Sequence, residues 1–317
     1  MAKVLYIACS SYSGSTLISF LLNTHPGMTT VGHTIGYPFT PEENFRCSCG
    51  EPLPDCPFFS RMAAVFGDLG LPFRYDRFGT RFRLAGQGRL ARHTTENLPW
   101  VRSSALEKAR DAVLWSIPGL GGVLRRQLRA NEVFVSQALA YSGADVYVDN
   151  SHGPYRIRHL SRSSEIELSA VHVVRDFRGV VLSFMNRRGW TAADSMRSWL
   201  REQADIVRVF SEFDRTMTVF YEDVCAETND ALGAIHRFVG LQPHPVPDDF
   251  KTVEHHILGN VMREGTSTIR LDRRWRTDLS TNDREMIERS ARRFIDSNPD
   301  HQLSRILEHH FEEGAKD

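Results

Sequence analysis

The chain of 317 residues lacks long hydrophobic runs, has little cysteine and carries no net charge. Each shortage removes a class of protein. No stretch approaches the roughly 18 consecutive apolar residues of a membrane-spanning helix. The chain opens directly on Lys3-Val4-Leu5-Tyr6-Ile7-Ala8, without the layout of a signal peptide, so a cytoplasmic protein is expected. Five cysteines, of which only Cys47, Cys49 and Cys56 are close neighbours, are too few for a disulfide framework at this length. The balance of 39 Lys+Arg against 39 Asp+Glu argues against general nucleic-acid binding. Internal repeats and low-complexity tracts are missing too, which excludes solenoid and fibrous designs.

What is present, 41% apolar and 25% charged residues, suits an ordinary globular chain. A single domain over 1–317 is expected, with residues 60–145 as a mostly helical insertion over the functional edge. The neutral average hides an asymmetry: residues 61–130 hold 13 Lys+Arg and 5 Asp+Glu. A basic insertion of this kind is either a solvated helical face or a surface for an anionic substrate or a membrane, which leaves peripheral membrane contact open.

The apolar run Lys3 to Ala8 reads as a buried strand, and Cys9-Ser10-Ser11-Tyr12-Ser13-Gly14 as the tight loop that ends it. Ser15 to Asn23 has helical apolar spacing and stops at Thr24-His25-Pro26-Gly27. Strand, small-residue loop and helix together make a phosphate-binding unit, because the helix start presents unpaired N–H groups. Further strands are expected at Val146-Tyr147-Val148, Glu167 to Val174 and Thr216 to Tyr221, the last two followed by helices. Strands alternating with helices predict an α/β fold, a P-loop-like parallel sheet flanked by helices with its function at the carboxyl ends of the strands.

A nucleoside triphosphatase or kinase needs Gly-Lys-Ser/Thr in that first loop, the lysine for the phosphates and the hydroxyl for magnesium. Ser13-Gly14-Ser15-Thr16 has no such lysine, so a nucleotide-dependent kinase is disfavoured. The remaining hydroxyls, glycine and helix start still suit an anion, although a ligand-free Ser-rich cap has the same appearance. A second anion contact is available where Arg175 leaves a strand and Ser183 follows two turns into the next helix. A third basic element runs Gly259-Asn260-Val261-Met262-Arg263-Glu264-Gly265, with Arg273-Arg274-Trp275-Arg276 behind it.

In this order and spacing the motifs resemble the sulfotransferases that use 3′-phosphoadenosine 5′-phosphosulfate (PAPS) and release 3′-phosphoadenosine 5′-phosphate (PAP). The resemblance is to bacterial-type members and covers residues 3–33 and roughly 145–276. It implies that Ser13, Gly14, Ser15 and Thr16 hold the 5′-phosphosulfate, that Arg175, Ser183, Arg263 and Gly265 hold the 3′-phosphate, and that Tyr221 of Tyr221-Glu222-Asp223 lies near the adenine. Cys47-Ser48-Cys49-Gly50 and Cys56-Pro57-Phe58 look like a cysteine element of bacterial members. Two positions depart from the pattern. Tyr12 stands where the family has Lys or Arg, and a phenol carries no positive charge at neutral pH. Glu264 replaces a lysine.

Sulfuryl transfer needs a base for the acceptor proton, stabilisation of charge on the leaving phosphate, and exclusion of water. His33 falls where related enzymes place a glutamate base, and His152 where others place a histidine base. His33 is favoured as the base, with His152 as its partner or a leaving-group contact, and Tyr12 is the third candidate at the reacting centre. A structural hydrogen bond is the alternative for either ring. The acceptor is expected to be a small molecule, carbohydrate or lipid, and a PAP-binding protein without efficient catalysis is the rival that Tyr12 keeps open. No metal is assigned. For Cys47, Cys49 and Cys56 the readings are reduced packing cysteines, a disulfide between two of them, or a zinc site, the last weakened by the short Cys-x-Cys spacing.

Overall fold

The computed structural model describes residues 1–37, 39, 45–84, 94–96, 102–259 and 267–315. Five parallel strands form one sheet in the order β2-β3-β1-β4-β5. They are β1 (Ala2–Cys9), β2 (Met28–Thr29), β3 (Val146–His152), β4 (Ile166–Val174) and β5 (Thr216–Phe220). β1 is the central strand, and its side chains alternate as a pleated strand requires. Val4, Tyr6 and Ala8 enter the core on one face, while Leu5, Ile7 and Cys9 enter the core on the other. Burial on both faces is why its sequence is an unbroken apolar run rather than an alternating one.

Helix α1 (Ser15–Leu22) follows β1 and is buried along its whole length. On the opposite face lie α2 (Pro57–Asp68), α3 (Ser104–Ser116) and the long α4 (Pro118–Ser142). α4 is the crossover from β2 to β3, and it presents Leu124, Leu128, Phe134 and Ala138 to the core. The short α5 (Arg156–Leu160) leads from β3 to β4.

A third cluster joins α6 (Phe177–Arg188) and α7 (Ala192–Phe210) to the carboxyl-terminal helices. β5 runs directly into α8 (Tyr221–Ala226) and α9 (Thr228–Phe238). The last elements are α10 (Trp275–Asp278), α11 (Thr281–Ser297) and α12 (Gln302–Ala315). α11 and α12 close the third cluster with Ile287, Ala291, Leu303, Ile306 and Leu307. α7 starts at a Thr191 cap and has apolar residues at helical spacing, with Trp199 fully buried, whereas the two-residue β2 carries no distinct sequence signal.

The carboxyl ends of β1, β3 and β4 deliver three loops to one edge. β3 carries one extra residue there: Tyr6 pairs with Asp149, but Ala8 pairs with His152. Such a bulge re-aims the side chain that follows it. His152 has a φ of +67°, a left-handed conformation unusual for a residue with a Cβ.

Three histidines remote from that edge are buried in the layers, His172 on β4, His236 on α9 and His310 on α12. Burial pushes the basicity of each down to about 4. In the unfolded chain the same rings titrate near their ordinary value, so between these values the unfolded state binds more protons. Stability is therefore complete above about pH 6.5 and falls as the pH drops toward 4, by on the order of 2 kcal/mol per ring at pH 5. Urea midpoints measured across this range should decline steadily with acid, and a flat profile between pH 7 and 4.5 would contradict the assignment.

Candidate functional site

The loop after β1 is held in a strained shape. Tyr12 has a φ of +66° and Gly14, the residue capping α1, a φ of +81°. Glycine is required at position 14 for a second reason, because a Cβ there would lie 2.3 Å from Cδ2 of Tyr221. Tyr221 thus forms a wall against the loop, and its hydroxyl donates to the Arg270 carbonyl at 3.1 Å. Ser13 is fully buried beside this glycine, and among the described residues its hydroxyl has no hydrogen-bond partner. A buried hydroxyl left unpaired costs about 1–3 kcal/mol, so its place in a loop at a helix start suits an oxygen ligand. Ser15 and Thr16 are buried in the first turn of α1.

Arg175 leaves β4 and reaches back to the same loop. Its Nη1 donates to the Tyr12 carbonyl at 2.8 Å, and its guanidinium stacks over Tyr221 at 5.0 Å. It lies along Gly179, whose carbonyl also accepts the Ser183 hydroxyl at 2.8 Å. Arg175 and Ser183 thus both lie against Gly179 of α6. Asp272 pairs with Arg175 at 3.0 Å and with Arg274 at 2.7 Å. Arg274 and Arg175 together hold the Asp272 carboxyl well below the ordinary carboxylate range. Trp275 is buried, with the Arg178 guanidinium 4.1 Å from its ring. Arg263 and Gly265 lie outside the described residues.

The two histidines meet on the far side of the loop. His152 Nε2 lies 2.8 Å from the Ser15 hydroxyl, and the His33 ring is 4.6 Å from that of His152, centre to centre. Among the described residues no hydrogen-bond partner faces the His33 ring. Enclosure by protein lowers its basicity to about 4, and burial with the neighbouring ring holds that of His152 well below its ordinary value. Both imidazoles are neutral at pH 7 and able to accept a proton. Asn150 sets this arrangement: its amide donates to the Ser15 carbonyl and to the Ser19 hydroxyl, both at 2.8 Å. Its backbone N–H donates to the Gly32 carbonyl.

Tyr12 brings its ring edge-on to Phe184 at 5.7 Å, and its carbonyl serves Arg175. A second positive charge lies against its ring, on Arg188 in the last turn of α6. Arg188 donates to the Ser11 hydroxyl at 3.0 Å and stacks against the rings of Tyr12, Phe184 and Trp190. Sequence reasoning missed Arg188. The available signal was a basic pair, Arg187-Arg188, ending the very helix that carries Ser183.

A cleft of about 630 Å³ opens beside His152. Ser11, Phe82, Thr95, Tyr155 and Glu202 are among the residues that line it. Arg81, Phe82, Thr95 and Glu96 of the basic segment thus contribute to its lining, and Arg81 pairs there with Glu96 at 3.6 Å.

No protein-family model and no curated protein sequence matches the chain. Solved structures do. The chain is similar to the sulfotransferase domain of the curacin biosynthetic pathway, with 15% identity, a TM-score of 0.53, and coverage of 92% of this chain and 97% of that domain. Weaker likenesses are to a mouse sulfotransferase, SULT7A1, solved with PAP (10% identity, TM-score 0.44, covering 97% and 88%) and to the sulfotransferase STF1 of Mycobacterium tuberculosis (16%, 0.41, covering 80% and 70%). The first of these establishes a sulfotransferase-type fold.

The contact between Gly14 and Tyr221 has a measurable consequence. Gly14→Ala should destabilise the protein by roughly 2 kcal/mol or more, from left-handed strain and from overlap with the ring. Adding Tyr221→Ala should relieve only the overlap, giving a favourable coupling of about 1 kcal/mol in a double-mutant cycle read by urea unfolding.

Proposed function

We propose that the chain is a sulfotransferase that moves a sulfuryl group from PAPS to a hydroxyl or amine of a small-molecule, carbohydrate or lipid acceptor. The observation that carries this reading is the buried, unpartnered Ser13 hydroxyl in a strained loop at the start of α1, with Arg175 on one side and the histidine pair on the other. A tetrahedral anion seated at the loop satisfies that hydroxyl and the first N–H groups of the helix.

In this reading Ser13, Gly14, Ser15 and Thr16 cradle the 5′-phosphosulfate. Arg175 and Ser183 take the 3′-phosphate, joined by Arg263 and Gly265, and Tyr221 walls the nucleotide side. Asp272 already holds part of the Arg175 fork, so the 3′-phosphate shares that guanidinium or displaces the carboxylate from it. The acceptor occupies the cleft beside His152. Its oxygen or nitrogen attacks sulfur, the sulfur–oxygen bond to the 5′-phosphate breaks, and the acceptor proton passes to His33. A pKa of about 4 makes His33 a weak base in the free protein. An anionic donor beside the ring favours the imidazolium and raises that value toward the working pH. His152, bonded to Ser15, steadies the loop that receives the leaving phosphate. Arg188 supplies the cation that Tyr12 does not.

Three measurements test the assignment. His33→Ala should lower turnover by about 100-fold or more, the ordinary worth of a general base, while PAP affinity changes little. Equal loss of both, or no loss, rejects the role. Adenosine 5′-phosphosulfate should bind more weakly than PAPS, by roughly 1.5–3 kcal/mol for each charged hydrogen bond to the missing phosphate. Equal affinity for the two would sink the donor assignment. Arg188→Ala should cut the rate of transfer with little effect on PAP binding, and Arg188→Lys should restore part of it. An unchanged rate in both variants removes Arg188 from the reaction.

A further inference from the structure

On the side of the molecule that holds α2, three cysteines and a histidine point their ligand atoms at one another. Cys47, Cys49, Cys56 and His256 come from segments about 200 residues apart in sequence, yet one ligand atom from each lies within 4.8 Å of all the others. Cys56 Sγ is 3.2 Å and Cys47 Sγ 3.7 Å from Nδ1 of His256. A tetrahedral ion with bonds of about 2.3 Å to sulfur and 2.0–2.1 Å to nitrogen sets edges of roughly 3.5–3.8 Å between its ligands. The cluster is already close to that size.

The surroundings are built in the same sense. His256 Nε2 lies 3.0 Å from the Glu254 carboxylate, which fixes the tautomer so that Nδ1 is the free acceptor facing the sulfurs. Phe58 stacks on the imidazole at 5.3 Å, and Tyr141 closes it edge-on at 5.4 Å. Between the cysteines the chain turns sharply, with the Gly50 N–H on the Cys47 carbonyl and Gly50 at a φ of +92°. Cys56 caps the start of α2, where unpaired N–H groups favour a thiolate. Ser48 stitches the two segments together, donating to the His255 carbonyl at 2.9 Å and accepting from the Ile257 N–H at 2.8 Å. Cys47, Cys56 and His256 are buried and Cys49 is exposed. None of the five cysteines is in a disulfide.

We propose that Cys47, Cys49, Cys56 and His256 bind one zinc ion in a closed, structural Cys3His site. Three sulfurs and one imidazole select zinc over hard cations, and four protein ligands leave no open position for chemistry. Binding transfers the thiol protons to solvent and forms three sulfur–zinc bonds and one nitrogen–zinc bond. The short Cys-x-Cys spacing is no obstacle, because the tight turn at Gly50 folds both sulfurs to one side. The ion acts as a clamp. It ties His256 to the cysteine loop, and two residues later the Leu258 N–H bonds the Val31 carbonyl, next to Gly32 and His33. Gly259 then packs on Thr16 of the anion loop. The site thereby braces two of the segments that frame the candidate active site. The zinc assignment does not depend on the transfer reaction.

Metal analysis of the full chain, purified under reducing conditions with zinc present, should find about one zinc per chain. Chelation under thiol-masking conditions should lower the melting temperature, and zinc should restore it. Cobalt(II) loading should give the intense visible bands of a tetrahedral centre together with sulfur-to-cobalt charge transfer. Cys49→Ser, at the exposed ligand and so the least disruptive to folding, should weaken the charge-transfer band and the zinc retention, whereas Cys225→Ser, remote from the cluster, should change neither. A folded protein with three freely reactive thiols and no retained metal overturns the proposal, as does a Cys47–Cys56 disulfide in protein isolated without reductant that no zinc treatment can load.

Discussion

The pairing of β1 between β3 and β4 is the constraint on which the site depends. Parallel neighbours must end at the same edge, so the loop after Cys9, the bulged end of β3 and the arginine after β4 arrive together. Both faces of β1 are closed by apolar side chains, and a one-residue slip would exchange the two cores. The register is therefore fixed by hydrophobic burial, and the polar groups at the strand ends inherit their positions from it. Asn150 converts this register into site geometry, since one side chain and its N–H hold the start of α1 and the turn that carries His33.

Strain and unsatisfied polarity concentrate at that same edge. Tyr12 and His152 are the two residues other than glycine with positive φ among the described residues, and both touch the anion loop or its partners. Local strain of about 1–3 kcal/mol at each is sustained only because the surrounding sheet and helices over-determine the backbone. The orphaned Ser13 hydroxyl adds to the same total. These are costs to the folded state, and they fall where an anionic ligand would return them.

Charge is handled by redistribution rather than by net excess. Arg188 is distant from Tyr12 in sequence, yet in the fold it lies over the Tyr12 ring and donates to the Ser11 hydroxyl. Arg175 is shared between Tyr12, Asp272 and Tyr221, which holds it rigidly near the loop. In the basic segment, Arg81 and Arg110 pair with Glu96 and Asp111, so part of its charge is neutralised locally. Arg74 and Arg77 are exposed and share the single carboxylate of Asp76, so one positive charge of that trio is left at the surface.

The sequence by itself determined the strand-loop-helix opening, the α/β class and the placing of Arg175 at a strand end with Ser183 two turns into the next helix. All of these rest on short-range patterns: an apolar run with no alternation, a glycine before a helix start, and an arginine and a serine spaced two helical turns apart. It also brought His33 and His152 forward as candidates, with His33 favoured as the base. Arg188, the Asn150 brace, the bulge that turns His152, and the union of His256 with Cys47, Cys49 and Cys56 were decided only by the tertiary structure. Each joins residues from distant segments, or depends on the register of neighbouring strands, and no local pattern of apolar and polar residues encodes which distant side chain fills a given gap in the core or at its edge.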